Sequence, residues 1–205
     1  RGKVRRGAAR STCGVCRRRS QAGDSLKSDS GVTNPARINH LYEALEKHDL
    51  PFLVHGEVTE PEVDIFDRER VFIDRYLNDI RERFPALRIV FEHVTTSEGV
   101  DFVREGGDLT AATVTPQHLL MNRNDLLVGG VRPHNYCLPI LKRRQHQEAI
   151  QKAVIDGHSR FFMGTDSAPH ARNKKEAACD CAGCYSEKKE RKREATFLEQ
   201  HNARE

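Results

Sequence analysis

The sequence predicts an α/β protein with a parallel sheet. Three observations carry that expectation. Short apolar runs of strand length recur along the chain, stretches with helical spacing of apolar residues separate them, and three of the runs close on a histidine or an aspartate. Apolar strands that alternate with helices make a sheet buried on both faces, whose functional groups gather at the C-terminal strand ends.

The elements follow in order. Asn34 and Pro35 suit an N-cap and a first helical position, and Ile38, Leu41 and Leu45 then share one helix face. Residues 50–55 form an apolar run that ends on His55. Thr59 and Glu62 read as a capping-box pair opening a helix through Phe66, Ile73, Leu77, Ile80 and Phe84. The unit repeats in residues 87–93, a strand ending on His93, followed by a helix over 97–104. Residues 109–115 form a third strand, a loop rich in Asn, Gly and Pro runs to 139, and 140–157 read as a helix through Ile140, Ile150 and Val154. Phe161 to Thr165 is the last strand, and the segment GTDSAPH after it places Asp166 just past its end.

The 205 residues allow one sizeable core, and a charged fraction of 31% is high for a globular chain. The net charge of +4 is uneven: residues 1–28 hold nine Lys or Arg against Asp24 alone. Like-charge runs without periodicity predict a basic, disordered arm over 1–28. No apolar run reaches the roughly 20 residues of a membrane span, and the Arg-rich start lacks the apolar core of a secretory signal. Six cysteines at 13, 16, 137, 179, 181 and 184 read as thiols or ligands rather than a secreted disulfide framework. The expected setting is cytoplasmic.

His55, His93 and Asp166 are the candidate chemical groups. Imidazole nitrogens and a carboxylate suit zinc, and a catalytic zinc takes few protein ligands plus an open position for water. Two plainer readings stand beside this one: Asp166 as a cap or Asx turn, and the histidines as hydrogen-bonding members of the core.

The segments LVHGEVTEPEVDIFDRE (53–69), FEHVTT (91–96), ATVTPQHLL (112–120), NRNDLLVGGVRPHNYCLPILKR (122–143) and GTDSAPHARNKKEAACDCAGC (164–184) resemble the dihydroorotases of the single-domain bacterial type. The resemblance covers roughly residues 29–185 and implies a partial TIM-type (β/α)8 barrel, strands five to eight with their helices, within the metal-dependent amidohydrolases. It implies that His55 and His93 bind the second of two zinc ions. Asp166 would be a ligand of the first zinc and the acid/base. His170 would hold the substrate carboxylate, and Leu138 and Ala182 would contact substrate through backbone groups. The implied reaction is reversible hydrolysis of dihydroorotate to N-carbamoyl-L-aspartate in pyrimidine (UMP) synthesis. Asp166 would take a proton from the attacking water and pass it to the leaving nitrogen. A small-molecule substrate, a homodimer and no membrane partner are implied with it.

The chain also departs from the family pattern. The His-x-His pair of the first zinc occurs nowhere in it, and Lys27 does not sit in the family's bridging-lysine motif. The likeness ends after Tyr185, so the charged tail 186–205 is unmatched, and the sequence predicts a product incomplete at both ends, truncated or read in a shifted frame. Two other functions compete with the enzyme. One is a catalytically inactive fragment of it. The other is a basic nucleic-acid-binding protein with a structural zinc on CGVC (13–16) and CDCAGC (179–184), whose roughly 160-residue separation is far wider than usual.

Overall fold

The computed structural model describes residues 35–178, 181–186 and 189–202. The predicted arm over 1–28 lies outside the described residues, as do Asn34, Cys13, Cys16 and Cys179. A 3-10 turn at Pro35–Ile38 leads into α1 (Asn39–Lys47), which buries Tyr42 and Leu45. The four strands β1 (Phe52–Val54), β2 (Ile89–Phe91), β3 (Thr110–Val114) and β4 (Phe161–Met163) form one sheet in the order β1-β2-β3-β4. Every neighbouring pair is parallel, with Val54 opposite Phe91, Phe91 opposite Ala112, and Val114 opposite Met163. The predicted α/β class with a parallel sheet is the observed one.

Alternation along the strands separates two faces. Phe52, Val54, Ile89, Phe91, Ala112 and Val114 are buried against the helices. Leu53, Val90, Ala111 and Thr113 are half-buried on the opposite face. β4 differs: Phe161 packs on the core, whereas Phe162 and Met163 are 48% and 37% exposed.

Between β1 and β2 the chain is helical from α2 (Arg68–Phe72) through a π turn (Ile73–Leu77) to α3 (Asn78–Arg83). The expected helix start at the Thr59–Glu62 pair is not observed. Residues 59–67 are turns, in which the Asp64 carboxylate accepts from the Phe66 N–H at 2.8 Å and the Val58 N–H reaches the Arg68 carbonyl. The segment folds back on α2 instead of entering it, so its hydroxyl and carboxylate cannot cap. A capping box does occur where a loop was expected: Asn122 and Asp125 close the start of α6 (Arg123–Leu127).

The other crossovers carry α4 (Ser97–Glu105), α5 (Pro116–Leu120) and α7 (Arg144–Ile155). Thr96 and Thr115 cap α4 and α5 by accepting from Gly99 N and His118 N. α7 starts at Arg144 rather than at 140, because Ile140 and Leu141 turn into a second apolar cluster with Leu126, Cys137, Leu138 and Cys184. After α8 (Arg172–Lys175), the charged tail forms a last helix, α9 (Lys189–Asn202), whose Phe197 packs on the main core. Among the described residues no helix is long and apolar enough to cross a membrane.

Gly56, just past β1, shows how tightly this end of the sheet is packed. A Cβ there would lie 2.0 Å from the Phe91 ring. Gly56→Ala is therefore expected to cost about 1–3 kcal/mol through overpacking, read as a lower urea midpoint at unchanged slope.

Candidate active site

The parallel register brings the C-terminal ends of β1 and β2 side by side, and each continues into a histidine. His55 Nδ1 lies 2.9 Å from His93 Nε2, with the rings edge to face at 4.6 Å between centroids. His93 adopts φ 42° and Asp166 φ 39°, a left-handed backbone that costs a non-glycine residue on the order of 1–2 kcal/mol. Strain of this kind clusters where geometry serves function. At His93 it is fixed by the neighbouring strand: Thr113 Oγ1 accepts from the His93 N–H at 2.6 Å and the Thr113 carbonyl accepts from Val94 N.

Buried charges lie beneath the pair. Glu57 Oε2 is 3.3 Å from His55 Nε2, and Lys142 Nζ is 3.6 Å from the other oxygen, both side chains being at most 4% exposed. Burial pushes the Glu57 carboxyl up, but the His55 hydrogen bond and the charges of Lys142, His55 and Arg68 outweigh it and hold it below its ordinary value. Glu69, equally buried, accepts from the backbone N–H and hydroxyl of both Thr95 and Thr96 at 2.5–3.0 Å. There burial prevails over Lys142 and the threonines, and the carboxyl is raised. Lys142 also donates to the Ile65 carbonyl at 3.2 Å. This triad was invisible to sequence reading, which takes Glu and Lys as surface residues. The one available signal was Glu57 two residues after a strand-ending histidine.

Two loops, one before α7 and one after β4, pack against each other. Ala168 N donates to the Cys184 carbonyl, Ser186 Oγ to the Thr165 carbonyl, and His170 Nε2 lies 3.0 Å from the Ala182 carbonyl. Gly183 N and Lys175 Nζ both reach the Tyr136 carbonyl, and Ala182 packs on the cluster that contains Leu138. Leu138, His170 and Ala182, far apart in sequence, are thus drawn into one loop cluster. Asp166 sits in the same loop as His170, and its charge is felt at Cys137, whose thiol is pushed up by its contact with Cys184 and by burial. Cys137, Cys181 and Cys184 are free thiols.

Zinc binds imidazole nitrogen at about 2.0–2.1 Å, which sets two such nitrogens roughly 3.3 Å apart in a tetrahedral site. The His55–His93 pair fits one shared ion after a small opening. Among the described residues, however, no group of three or more His, Cys, Asp or Glu could hold a metal. Asp166 is not brought to the histidines as a third ligand among the described residues, and the zinc knot of the nucleic-acid reading falls on Cys13, Cys16 and Cys179, which lie outside the described residues.

Comparison with known proteins accords with this geometry. No family model matches the chain. A dihydroorotase of Alcanivorax borkumensis is 81% identical over 182 residues, covering 89% of this chain and 53% of that protein, and one of Idiomarina loihiensis is 57% identical over the same length. The chain spans about half the length of these curated relatives. The matched length exceeds residues 29–185, so the likeness runs past those bounds. Among solved structures, dihydroorotase from Saccharomyces cerevisiae in complex with 5-fluoroorotic acid matches with a TM-score of 0.78 and 27% identity over 94% of this chain and 55% of that one. Dihydroorotase from Campylobacter jejuni matches at 0.65 and 30% over 80% and 45%. A D-hydantoinase from Thermus, 16% identical with a TM-score of 0.62, shares the fold. The four parallel strands are accordingly part of an amidohydrolase barrel, and the chain belongs to the dihydroorotase family.

Proposed function

We propose that this chain supplies half of a zinc-dependent dihydroorotase site, acting on dihydroorotate and N-carbamoyl-L-aspartate. The observation that carries the reading is the His55–His93 pair at adjacent parallel strand ends. His55 and His93 would hold one zinc, which when bound supplies a Lewis acid for the ring amide. Asp166, at its strained strand end, takes a proton from the attacking water and returns it to the leaving nitrogen. His170 binds the substrate carboxylate and the backbone of Leu138 and Ala182 orients the substrate, from a loop cluster stapled by hydrogen bonds. The other members of a two-zinc site, the His pair of the first zinc and the bridging lysine, are not assigned to any residue here. A homodimer and a cytoplasmic setting belong to the same reading.

The test is hydrolysis of dihydroorotate by the purified 205-residue chain with added zinc, beside Asp166→Ala. The expected result is turnover that falls by about 10²–10⁴ in the variant, the usual worth of a positioned acid/base. The lack of a third ligand among the described residues favours a second reading, a non-catalytic member of the family. Folded chain without turnover would establish that reading instead.

A further inference from the structure

We propose that Glu57 is a positioning residue for His55: its carboxylate holds the ring as the Nε2–H tautomer and thereby turns the Nδ1 lone pair toward His93. That nitrogen is then the one presented to an ion shared by the two histidines, a consequence that rests on the zinc reading above; the tautomer does not.

The argument begins with the backbone. β1 ends at Val54, and His55 and Glu57 follow directly from its end with one residue between them. Gly56 between them lets the strand end press onto the Phe91 ring, where a Cβ would meet ring carbon at 2.0 Å. Both side chains of the pair are therefore brought to one point by a segment with little freedom. Glu57 Oε2 then lies 3.3 Å from His55 Nε2. An ionised carboxylate only accepts, so this contact is favourable only when the facing ring nitrogen carries the proton. The opposite tautomer would set a lone pair against a buried anion.

Lys142 keeps that anion in place. Its ammonium lies 3.6 Å from Glu57 Oε1 and is tied to the Ile65 carbonyl at 3.2 Å, with its side chain 2% exposed. The other buried carboxylate within its field, Glu69, is already satisfied by four donors from Thr95 and Thr96. Lys142 therefore balances Glu57. With Nε2 of His55 committed, Nδ1 is left as an acceptor, and its neighbour at 2.9 Å is His93 Nε2, which donates; an ion entering between the two rings would displace that Nε2 proton to solvent. The arrangement is a carboxylate–histidine pair of the kind that fixes the orientation and basicity of metal-binding imidazoles.

The test uses the full chain labelled with ¹⁵N-histidine, the His55 ring signals being assigned by their loss in His55→Gln. The expected spectrum shows His55 as a single Nε2–H tautomer with a slowly exchanging, downfield Nε2 proton. Glu57→Met with Lys142→Met removes both charges together and so leaves neither buried alone. In it the downfield proton should vanish and the ring should exchange between tautomers. Glu57→Gln, whose amide oxygen still accepts, should keep the tautomer. Titration with Co²⁺ should show binding about 10–100-fold weaker in the double variant and largely restored in Glu57→Gln. A wild-type His55 protonated on Nδ1, or a double variant with an unchanged spectrum, overturns the proposal. A wild-type chain with the expected tautomer but no Co²⁺ binding overturns its metal-directing part and, with it, the zinc reading, while leaving the Glu57–His55 bond established.

Discussion

Glu69→Ala is expected to destabilise the chain by about 3–5 kcal/mol, the scale on which a buried carboxylate network is lost. The carboxylate binds Thr95 and Thr96 through two backbone N–H groups and two hydroxyls, all buried. Alanine would leave those four buried donors without their acceptor and open a cavity where the carboxylate had been. Two backbone consequences follow. Thr96 caps α4 by accepting from Gly99 N, so its side chain would lose the partner that orients it. The Thr95–Thr96 segment also leads directly out of His93, so the strained histidine would lose its anchor on one side. Urea unfolding should show a large drop in midpoint, and amide exchange should accelerate first at Thr95, Thr96 and Gly99. Glu69→Gln, which keeps one accepting oxygen but turns an amide NH₂ toward donors, should fall between. An Ala variant within about 0.5 kcal/mol of the parent would mean that the network contributes nothing to stability.

The architecture was legible in the sequence because alternating strand and helix patterns are set by backbone geometry, and so were the strand-end positions of His55, His93 and Asp166. Parallel pairing then places consecutive strand ends together without further information. What the sequence concealed was charge burial. Glu57, Glu69 and Lys142 look like solvated residues, and only the fold shows that all three are buried, the lysine pairing with Glu57 while threonines satisfy Glu69. Local signals also misled where tertiary contacts override them. Thr59 and Glu62 have the right spacing for a capping box, yet the chain around them folds back on α2, and the box forms at Asn122 and Asp125 instead. The tail helix α9 gave little pattern to read because its sequence opens on six consecutive charged residues, and its Phe197 packs on the core. For the candidate site, motif resemblance pointed to Leu138, His170 and Ala182; their clustering depends on loop-to-loop hydrogen bonds that have no periodicity to detect.

Acidification between pH 6.5 and 4 is expected to remove about 3 kcal/mol of stability through His118 alone. The ring is fully buried, with Nδ1 2.5 Å from Thr115 Oγ1 and Nε2 2.8 Å from the Pro139 carbonyl. Burial lowers its pKa from 6.5 to about 4, a shift that the Pro139 carbonyl only partly opposes. The unfolded chain binds a proton there near pH 6.5, whereas the folded one stays neutral until about pH 4. The contribution is therefore fully present above pH 6.5 and declines as the pH falls toward 4, because the unfolded state holds more protons throughout that window. Buried His146 is lowered by burial as well and adds a slope of the same sign, while Glu57, held low, loses its contribution only further into acid. Subtracting the profile of His118→Gln isolates the His118 component: the variant is less stable at neutral pH, but its stability should vary less from pH 6.5 to 4. Equal slopes in the two proteins would show that His118 titrates normally. If the slopes differ as expected, the proton that destabilises the chain enters at Nδ1, against Thr115 Oγ1 and in a buried site, because Nε2 already donates to the Pro139 carbonyl.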